Sequence, residues 1–184
     1  YGYRNPTAIL WISVDFDGVA RVWDEFYKSE MLIRDIAYVV KERHPYIFDN
    51  ATLLIDPSTF SRRSDGKSIH DEFVDNGVYF IPAENVLLQG IDRVNTLFKE
   101  NRLLICSNCE WTLKEIANYR WKEINRTIKT NYAEEPLKKD DHTMDCLRYF
   151  ANYVESPKRR EAVALPKWVN KIKKKYTEHS FMGI

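Results

Sequence analysis

The sequence predicts an α/β protein in which a mixed β-sheet, opened by an antiparallel hairpin, is flanked by helices. Two runs rich in β-branched and aromatic residues, 7–14 and 19–27, enclose an Asp-Gly turn, which is typical of a hairpin. Farther along the chain, short apolar runs alternate with segments whose apolar residues follow helical spacing. An antiparallel start followed by alternating strands and helices favours a mixed sheet over a purely parallel one.

The elements after the hairpin follow in a regular order. Residues 29–44 have helical spacing, with Ser29 as the predicted N-cap and Pro45 as the stop signal. The continuous apolar run 51–55 predicts a buried strand, and the polar, basic stretch 57–67 predicts a loop.

The second half continues the alternation of helix and strand. Its predicted elements are a helix at 69–76 ended by Gly77, a strand at 78–81, a helix capped by Asn85, a strand at 102–106, a helix at 110–123 and a helix at 141–154. In the helix at 110–123, we expect Leu113, Ile116 and Ala117 to face inward.

Length and charge fit one domain with a basic appendage. The 184 residues carry a formal net charge of only +1, so global charge does not indicate a polyanionic partner. Lysine and arginine cluster near the end, which predicts a domain at 1–155 and a basic tail at 156–184. That tail is either a solvated terminal segment or an electrostatic contact for nucleic acid or an acidic partner. Since the chain begins without Met, we expect a fragment of a longer polypeptide.

Carboxylates crowd the start of the last predicted helix. Asp141 and Asp145 are four positions apart and share a face, and His142 lies beside them. Like charges at this spacing cost an isolated helix about 0.2–0.5 kcal/mol, so a helix N-terminus, a basic partner or a cation should offset them. Asp56 ends the buried strand 51–55, at the strand end where ligands gather in such sheets.

These residue types predict a divalent-metal site, because Mg²⁺ and Mn²⁺ prefer oxygen ligands. Two such ions about 4 Å apart cleave phosphodiesters by activating a water and stabilising the leaving oxygen. In this hypothesis Asp56 and Asp145 are catalytic metal ligands and Asp141 is a further ligand. His142 would orient water, carry a proton or add a ligand.

Each of these residues also has a simpler interpretation. The alternatives are a turn for Asp56, a helix N-cap for Asp140 or Asp141, an ion pair with Arg148 for Asp145, and a structural role for His142. The loop at 57–67 carries Arg62, Arg63 and Lys67, which we predict to contact a DNA backbone. The alternative for these three is an ordinary solvated loop.

Five segments, in order, resemble the C-terminal nuclease domain of the large terminase subunit of tailed bacteriophages and prophages. They are 1–8, 54–58, 90–94, 111–119 and 141–149, and the last, Asp-His-Thr-Met-Asp-Cys-Leu-Arg-Tyr, is the most specific. The resemblance implies an RNase H-like fold, with a mixed β-sheet flanked by helices. It also implies metal-dependent cleavage of concatemeric double-stranded viral DNA during genome packaging, with two Mg²⁺ or Mn²⁺ ions in the complete site.

The same resemblance implies partners and a location. The partners are double-stranded DNA, the portal protein, the small terminase subunit and an N-terminal ATPase domain of the same polypeptide. The location is the cytoplasm of an infected or lysogenic bacterial host, away from the membrane. The alternatives are a non-catalytic DNA- or portal-binding module, and another RNase H-like nuclease such as a resolvase or transposase.

Motif by motif, the resemblance assigns individual residues. Asp56 corresponds to the family's second metal-binding aspartate, Asp145 to the third, and His142 to a histidine found beside it in some members. The family's first aspartate precedes an aromatic-Gly pair, so we expect it immediately before Tyr1, with Glu25 as a weak substitute within the chain. We therefore expect an upstream extension that adds this aspartate to restore or raise Mn²⁺-dependent cleavage.

Overall fold

The computed structural model of the chain describes residues 5–122 and 136–155. By their internal contacts, the residues divide into one unit at Tyr1–Asn152 and another at Tyr153–Ile184. The basic tail predicted at 156–184 lies outside the described residues, so its boundary and role stay predictions. None of the described helices is long and apolar enough to cross a membrane.

Strands and helices alternate after an opening hairpin, as the sequence predicts. The strands are β1 (Thr7–Val14), β2 (Ala20–Lys28), β3 (Leu54–Ile55), β4 (Ile81–Pro82) and β5 (Leu103–Ile105). The helices are α1 (Ile33–Glu42), α2 (Pro45–Phe48), α3 (Ile69–Asp75), α4 (Leu87–Lys99), α5 (Glu110–Asn118) and α6 (His142–Val154), with a 3-10 turn at Pro57–Phe60.

Two small sheets organise these strands. In the first, β2 pairs with β1 in the antiparallel sense and with β5 in the parallel sense, which makes the sheet mixed. The register of the hairpin shifts between Trp11 and Ile12, as at a β-bulge. In the second sheet, β3 and β4 pair in parallel, which places the end of β3 beside the end of β4.

A cluster of apolar side chains packs α1 and α3 together. Its buried members are Met31, Ile33, Ile36, Ala37, Val40, Phe73 and Val78. Ile9 of β1 and Phe26 of β2 pack against the cluster from the hairpin, and Ile55 packs against it from β3. The strand end that carries Asp56 is therefore held by the core.

The two ends of α3 are each closed by a recognised capping arrangement. Ser68 and Asp71 form a reciprocal capping box at the start of α3. At the other end, Gly77 has a φ of +75°, and the N–H groups of Gly77 and Val78 donate to the carbonyls of Val74 and Phe73. This is the Schellman arrangement, which glycine adopts without strain, so the predicted stop at Gly77 is confirmed.

Two predicted N-caps are wrong. The N-cap residue of α1 is Leu32 rather than Ser29, and Pro45 occupies the first turn of the separate helix α2. Proline suits that position because its missing N–H would have no partner there. The N-cap residue of α4 is Val86 rather than Asn85, since the amide of Asn85 is engaged by an arginine of α6.

The predicted inward face of α5 is wrong at two of its three residues, since only Ile116 is half-buried. Leu113 is 42% exposed and Ala117 is exposed, whereas Thr112 and Glu115 are buried at 0% and 3% exposure. The helix is rotated because its polar residues form tertiary hydrogen bonds. The predicted continuation of this helix to Glu123 fails too, since α5 ends at Asn118.

Candidate metal centre

Asp56 stands where β3 ends and the 3-10 turn begins. Its Oδ1 accepts a hydrogen bond from the backbone N–H of Ser58 at 2.7 Å, so it is the turn residue that its simpler interpretation predicts. Its Oδ2 accepts a second bond from the hydroxyl of Tyr149 at 2.5 Å. Burial alone would raise the pKa of Asp56, but these hydrogen bonds outweigh burial and hold the pKa below its ordinary value. Asp56 is therefore ionised at neutral pH.

Helix α6 brings Asp145 towards this strand end. Asp145 and Tyr149 are four residues apart on α6 and so lie on the same face. Since Tyr149 bonds directly to Asp56, that face is turned to the end of β3. The hydrogen bond thus links the mid-chain aspartate to the helix that carries the late aspartate, and their joint binding of one cation stays a prediction.

Asp145 also forms the ion pair that its simpler interpretation predicts. Its Oδ1 accepts a hydrogen bond from Nη2 of Arg148 at 2.5 Å. Arg148 is only 4% exposed, whereas the side chain of Asp145 is 37% exposed. The pair is therefore not a surface contact, because its cation is inside the protein and its carboxylate reaches the solvent.

Asp141 and His142 lie at the start of α6. The backbone carbonyl of Asp141 accepts the N–H of Asp145 at 2.9 Å, and its carboxylate is half-buried. Burial and the neighbouring Asp145 carboxylate raise the pKa of Asp141. His142 is half-buried, and its ring centroid lies 6.1 Å from that of Tyr27. We call Asp56, Asp141 and Asp145 the acid site.

Sequence reasoning missed the residue that holds this helix end. Glu115 of α5 reaches across to α6, and its Oε2 accepts bonds from the N–H of Thr143 at 2.7 Å, the hydroxyl of Thr143 at 2.6 Å and the N–H of Met144 at 3.3 Å. These backbone donors belong to the first turn of α6 and have no partner within their own helix. Glu115 thus caps α6 from another element, and nothing in its local sequence signals that role.

Glu25 does the same for α5. Its carboxylate accepts bonds from the N–H of Trp111 at 2.8 Å, the N–H of Thr112 at 3.0 Å and the hydroxyl of Thr112 at 2.7 Å. Both oxygens of Glu25 are occupied, and the residue is 9% exposed. This weak candidate for a metal ligand therefore has a structural role, and we name Glu25 and Glu115 the capping carboxylates.

The predicted DNA-contacting residues lie on the exposed loop before α3. Arg63 forms an ion pair with Glu72, and Nζ of Lys67 lies 3.2 Å from Oδ2 of Asp75. Arg62 is exposed beside them. Two of the three cations are thus paired with acids of α3, as expected of a solvated loop, and their contact with DNA stays a prediction.

The carboxylate oxygens of the acid site are the type of ligand that hard divalent cations such as Mg²⁺ and Mn²⁺ prefer. Within residues 5–122 and 136–155, however, no three His, Cys, Asp or Glu side chains lie close enough together to hold a metal ion. Asp56, Asp141 and Asp145 therefore do not form such a cluster among the described residues, and their role as metal ligands stays a prediction.

Comparison with known proteins agrees with this architecture. The large terminase subunit of Escherichia phage T5 is 24% identical over 150 residues, which are 80% of this chain and 32% of that protein. The chain thus spans about a third of the curated relative that it matches. No family model matches the chain.

Solved structures of phage terminases share the fold. The large terminase of a thermophilic bacteriophage, solved in complex with ADP, superposes with a TM-score of 0.68 at 22% identity, over 84% of this chain and 38% of that one. The large-terminase nuclease domain of bacteriophage SPP1, with bound Mn, gives a TM-score of 0.57 at 18% identity, over 83% of this chain and 80% of that one. The predicted RNase H-like fold class is confirmed. The chain therefore has the fold of the large-terminase nuclease domains, and the resemblance seen in its motifs is confirmed.

Proposed function

We propose that the chain is the nuclease domain of a packaging terminase, which cleaves concatemeric double-stranded viral DNA with the help of Mg²⁺ or Mn²⁺. The observation that supports this proposal most directly is the hydrogen bond from Tyr149 to Asp56. It joins a strand end and a helix that are far apart in sequence, and it turns the Asp145 face of α6 towards Asp56. The manganese-bound SPP1 domain of the same fold supports the choice of ion.

Asp56 and Asp145 would hold the ion in this proposal, and Asp141 would add a ligand. Ser58 and Tyr149 keep Asp56 charged and fix its direction, while Arg148 fixes one oxygen of Asp145. His142, at the start of the helix, would accept or return a proton of the attacking water. A divalent cation bound there lowers the pKa of that water and stabilises the leaving oxygen.

The proposal extends to the longer protein from which such a domain comes. There the domain would act beside an N-terminal ATPase domain and engage the portal protein and the small terminase subunit, in the cytoplasm of the bacterial host. The T5 terminase and the ADP-bound terminase support the idea of a longer protein, because this chain covers 32% of the first and 38% of the second.

The test separates catalysis from DNA binding. Asp56→Asn and Asp145→Asn should each lower Mn²⁺-dependent cleavage of duplex DNA at least about 100-fold, because loss of an outer hydrogen-bond partner alone typically costs 10–100-fold. Duplex binding, measured by fluorescence anisotropy, should persist. Asp92→Asn, on the exposed face of α4, is the matched control and should cleave normally.

The assay is run on the 184-residue chain and on a longer polypeptide that contains it. Cleavage that survives both aspartate substitutions would overturn the metal assignment. Binding without cleavage in both wild-type proteins would favour the non-catalytic DNA-binding module. A preference for branched DNA over linear duplex would favour a resolvase.

A further inference from the structure

Arg148 is an unusual charged side chain because its cation lies inside the protein. The residue is 4% exposed, and arginine is almost never buried to this extent unless it is paired. Its Nη2 donates to Oδ1 of Asp145 at 2.5 Å, and its Nη1 donates to Oδ1 of Asn85 at 2.7 Å. Its Nε has no hydrogen-bond partner among the described residues. The guanidinium is thus held from two sides.

The path of the Arg148 side chain is built by α4. Gly90 faces the arginine stem so closely that a Cβ on Gly90 would lie 2.3 Å from Cγ of Arg148. One turn farther along α6, Asn152 is fully buried and donates to the carbonyls of Glu84 and Val86, just before α4. Only glycine at position 90 leaves room for the stem, so the buried position of Arg148 depends on Gly90.

We propose that Arg148 is a positioning residue for the acid site. Its guanidinium occupies Oδ1 of Asp145, leaves Oδ2 as the donor for a divalent cation, and offsets the charge of the neighbouring carboxylates while no cation is bound. This inference rests on the proposed function, since it assigns Asp145 to a metal site. It also identifies the basic partner that the like charges of Asp141 and Asp145 require.

Three features favour positioning over competition with the cation. Arginine stays protonated at all physiological pH values, so the charge is permanent. Asn85 holds the guanidinium through Nη1, the terminal nitrogen that Asp145 does not use, and Gly90 packs closely against the stem of this buried side chain. Carboxylates that bind metal ions are typically fixed by a hydrogen bond of this kind, which orients the ligand.

The guanidinium also touches the other half of the site. Its central carbon lies 5.2 Å from the ring centroid of Tyr149, whose hydroxyl donates to Asp56. The Arg148 guanidinium thus contacts Asp145 directly. It also contacts the ring of Tyr149, whose hydroxyl is the hydrogen-bond partner of Asp56. A change at Arg148 is therefore expected to disturb both aspartates.

Mn²⁺ binding, measured by isothermal titration calorimetry on the 184-residue chain and on a longer polypeptide that contains it, tests the inference without depending on cleavage. Arg148→Gln should lower the Mn²⁺ affinity about 10–100-fold. The affinity of Arg148→Lys should lie between that of Arg148→Gln and that of the wild type, because lysine keeps the charge but cannot donate to Asp145 and Asn85 from a planar guanidinium. Asn85→Ala keeps the arginine and should lower the affinity about 3–10-fold by loosening it.

Arg93→Gln is the matched control. Arg93 also joins α4 to α6, through the side-chain and backbone oxygens of Asn152, but does not touch Asp145. It should lower the unfolding temperature and leave Mn²⁺ affinity unchanged, which separates damage to the interface from damage to the site.

The outcomes distinguish the inference from the function on which it rests. A wild-type chain whose Mn²⁺ affinity is unaffected by Asp145→Asn would overturn the proposed metal site and this inference with it. If Asp145→Asn abolishes binding but folded Arg148→Gln binds as tightly as wild type, or more tightly, the inference alone fails. Should Arg148→Gln not fold, unchanged affinity in Asn85→Ala would overturn it.

Discussion

The capping carboxylates and the acid site use the same chemical group in opposite ways. Glu25 and Glu115 are buried, and they accept bonds from the first-turn donors of α5 and α6. The aspartates of the acid site are half-buried, and Asp145 accepts only one side-chain hydrogen bond, from Arg148, among the described residues. The number of acids near α6 therefore does not distinguish the two groups, whereas their access to solvent does.

This difference assigns the two groups to different tasks. A buried carboxylate that accepts bonds from a helix N-terminus is held by the fold and closed to a ligand from solvent. A half-buried carboxylate that solvent reaches can still bind a cation, at some cost in repulsion while no cation is present. Replacing a capping carboxylate should therefore mainly lower stability, whereas replacing an aspartate of the acid site should mainly weaken cation binding.

The largest effect on stability is expected at Glu115. Glu115→Ala leaves the N–H groups of Thr143 and Met144 and the hydroxyl of Thr143 without their acceptor, which should lower the free energy of unfolding by about 2–4 kcal/mol. Urea unfolding followed by circular dichroism measures this loss. Glu110→Ala, at an exposed position in the first turn of α5, is the control and should cost less than about 1 kcal/mol. Equal losses of unfolding free energy in Glu115→Ala and Glu110→Ala would show that Glu115 has no special role in capping α6.

A smaller effect, visible only in acid, is expected at Asp24, which is another saturated carboxylate. Burial would raise its pKa, but hydrogen bonds from Arg43 and His44 outweigh burial and lower the pKa to about 2. Because the folded pKa lies below the unfolded value of 3.8, the stabilisation is present above about pH 4 and is lost as the pH falls towards 2. The loss should reach about 2 kcal/mol.

Urea midpoints between about pH 2 and pH 6 measure this dependence. Arg43→Gln should flatten it, since the charge that lowers the pKa is gone. Lys41→Gln, close by on α1 but bonded to the carbonyl of Asn76, should keep it. If the urea midpoint of Arg43→Gln fell as steeply at low pH as that of the wild type, Asp24 would not be the source of the acid dependence.

The smallest effect on stability is expected at Asp141, where the substitution should stabilise the metal-free protein slightly or leave it unchanged. Burial and Asp145 raise its pKa, so its charged form is disfavoured by folding at neutral pH. Asp141→Asn should leave the unfolding midpoint unchanged or raise it when no divalent ion is present. With Mn²⁺ added, the wild type should gain more stability than the variant, because a ligand that binds the folded state stabilises it. A clear loss of stability in metal-free Asp141→Asn would place this residue with the capping carboxylates.

Local patterns predicted much of this protein and failed in recognisable places. The hairpin, the alternation of elements and the stop at Gly77 follow from turn chemistry and periodicity, which act over a few residues. The caps at Ser29 and Asn85 failed because Asn85 has a tertiary partner in Arg148 and α1 begins later than its polar flank suggests. The inward face of α5 failed because Glu115, a charged residue, is buried for its bonds to α6.

The sequence by itself determined the fold class, the order of elements and the identity of the candidate acids, since spacing and residue type carry that information. Only the tertiary structure decided which carboxylates are buried against helix ends and which reach the solvent. The hydrogen-bond partners of Glu25, Glu115 and Asp56 are dozens of residues away in the chain. Hydrogen bonds across such separations depend on how the elements pack, which no local pattern records.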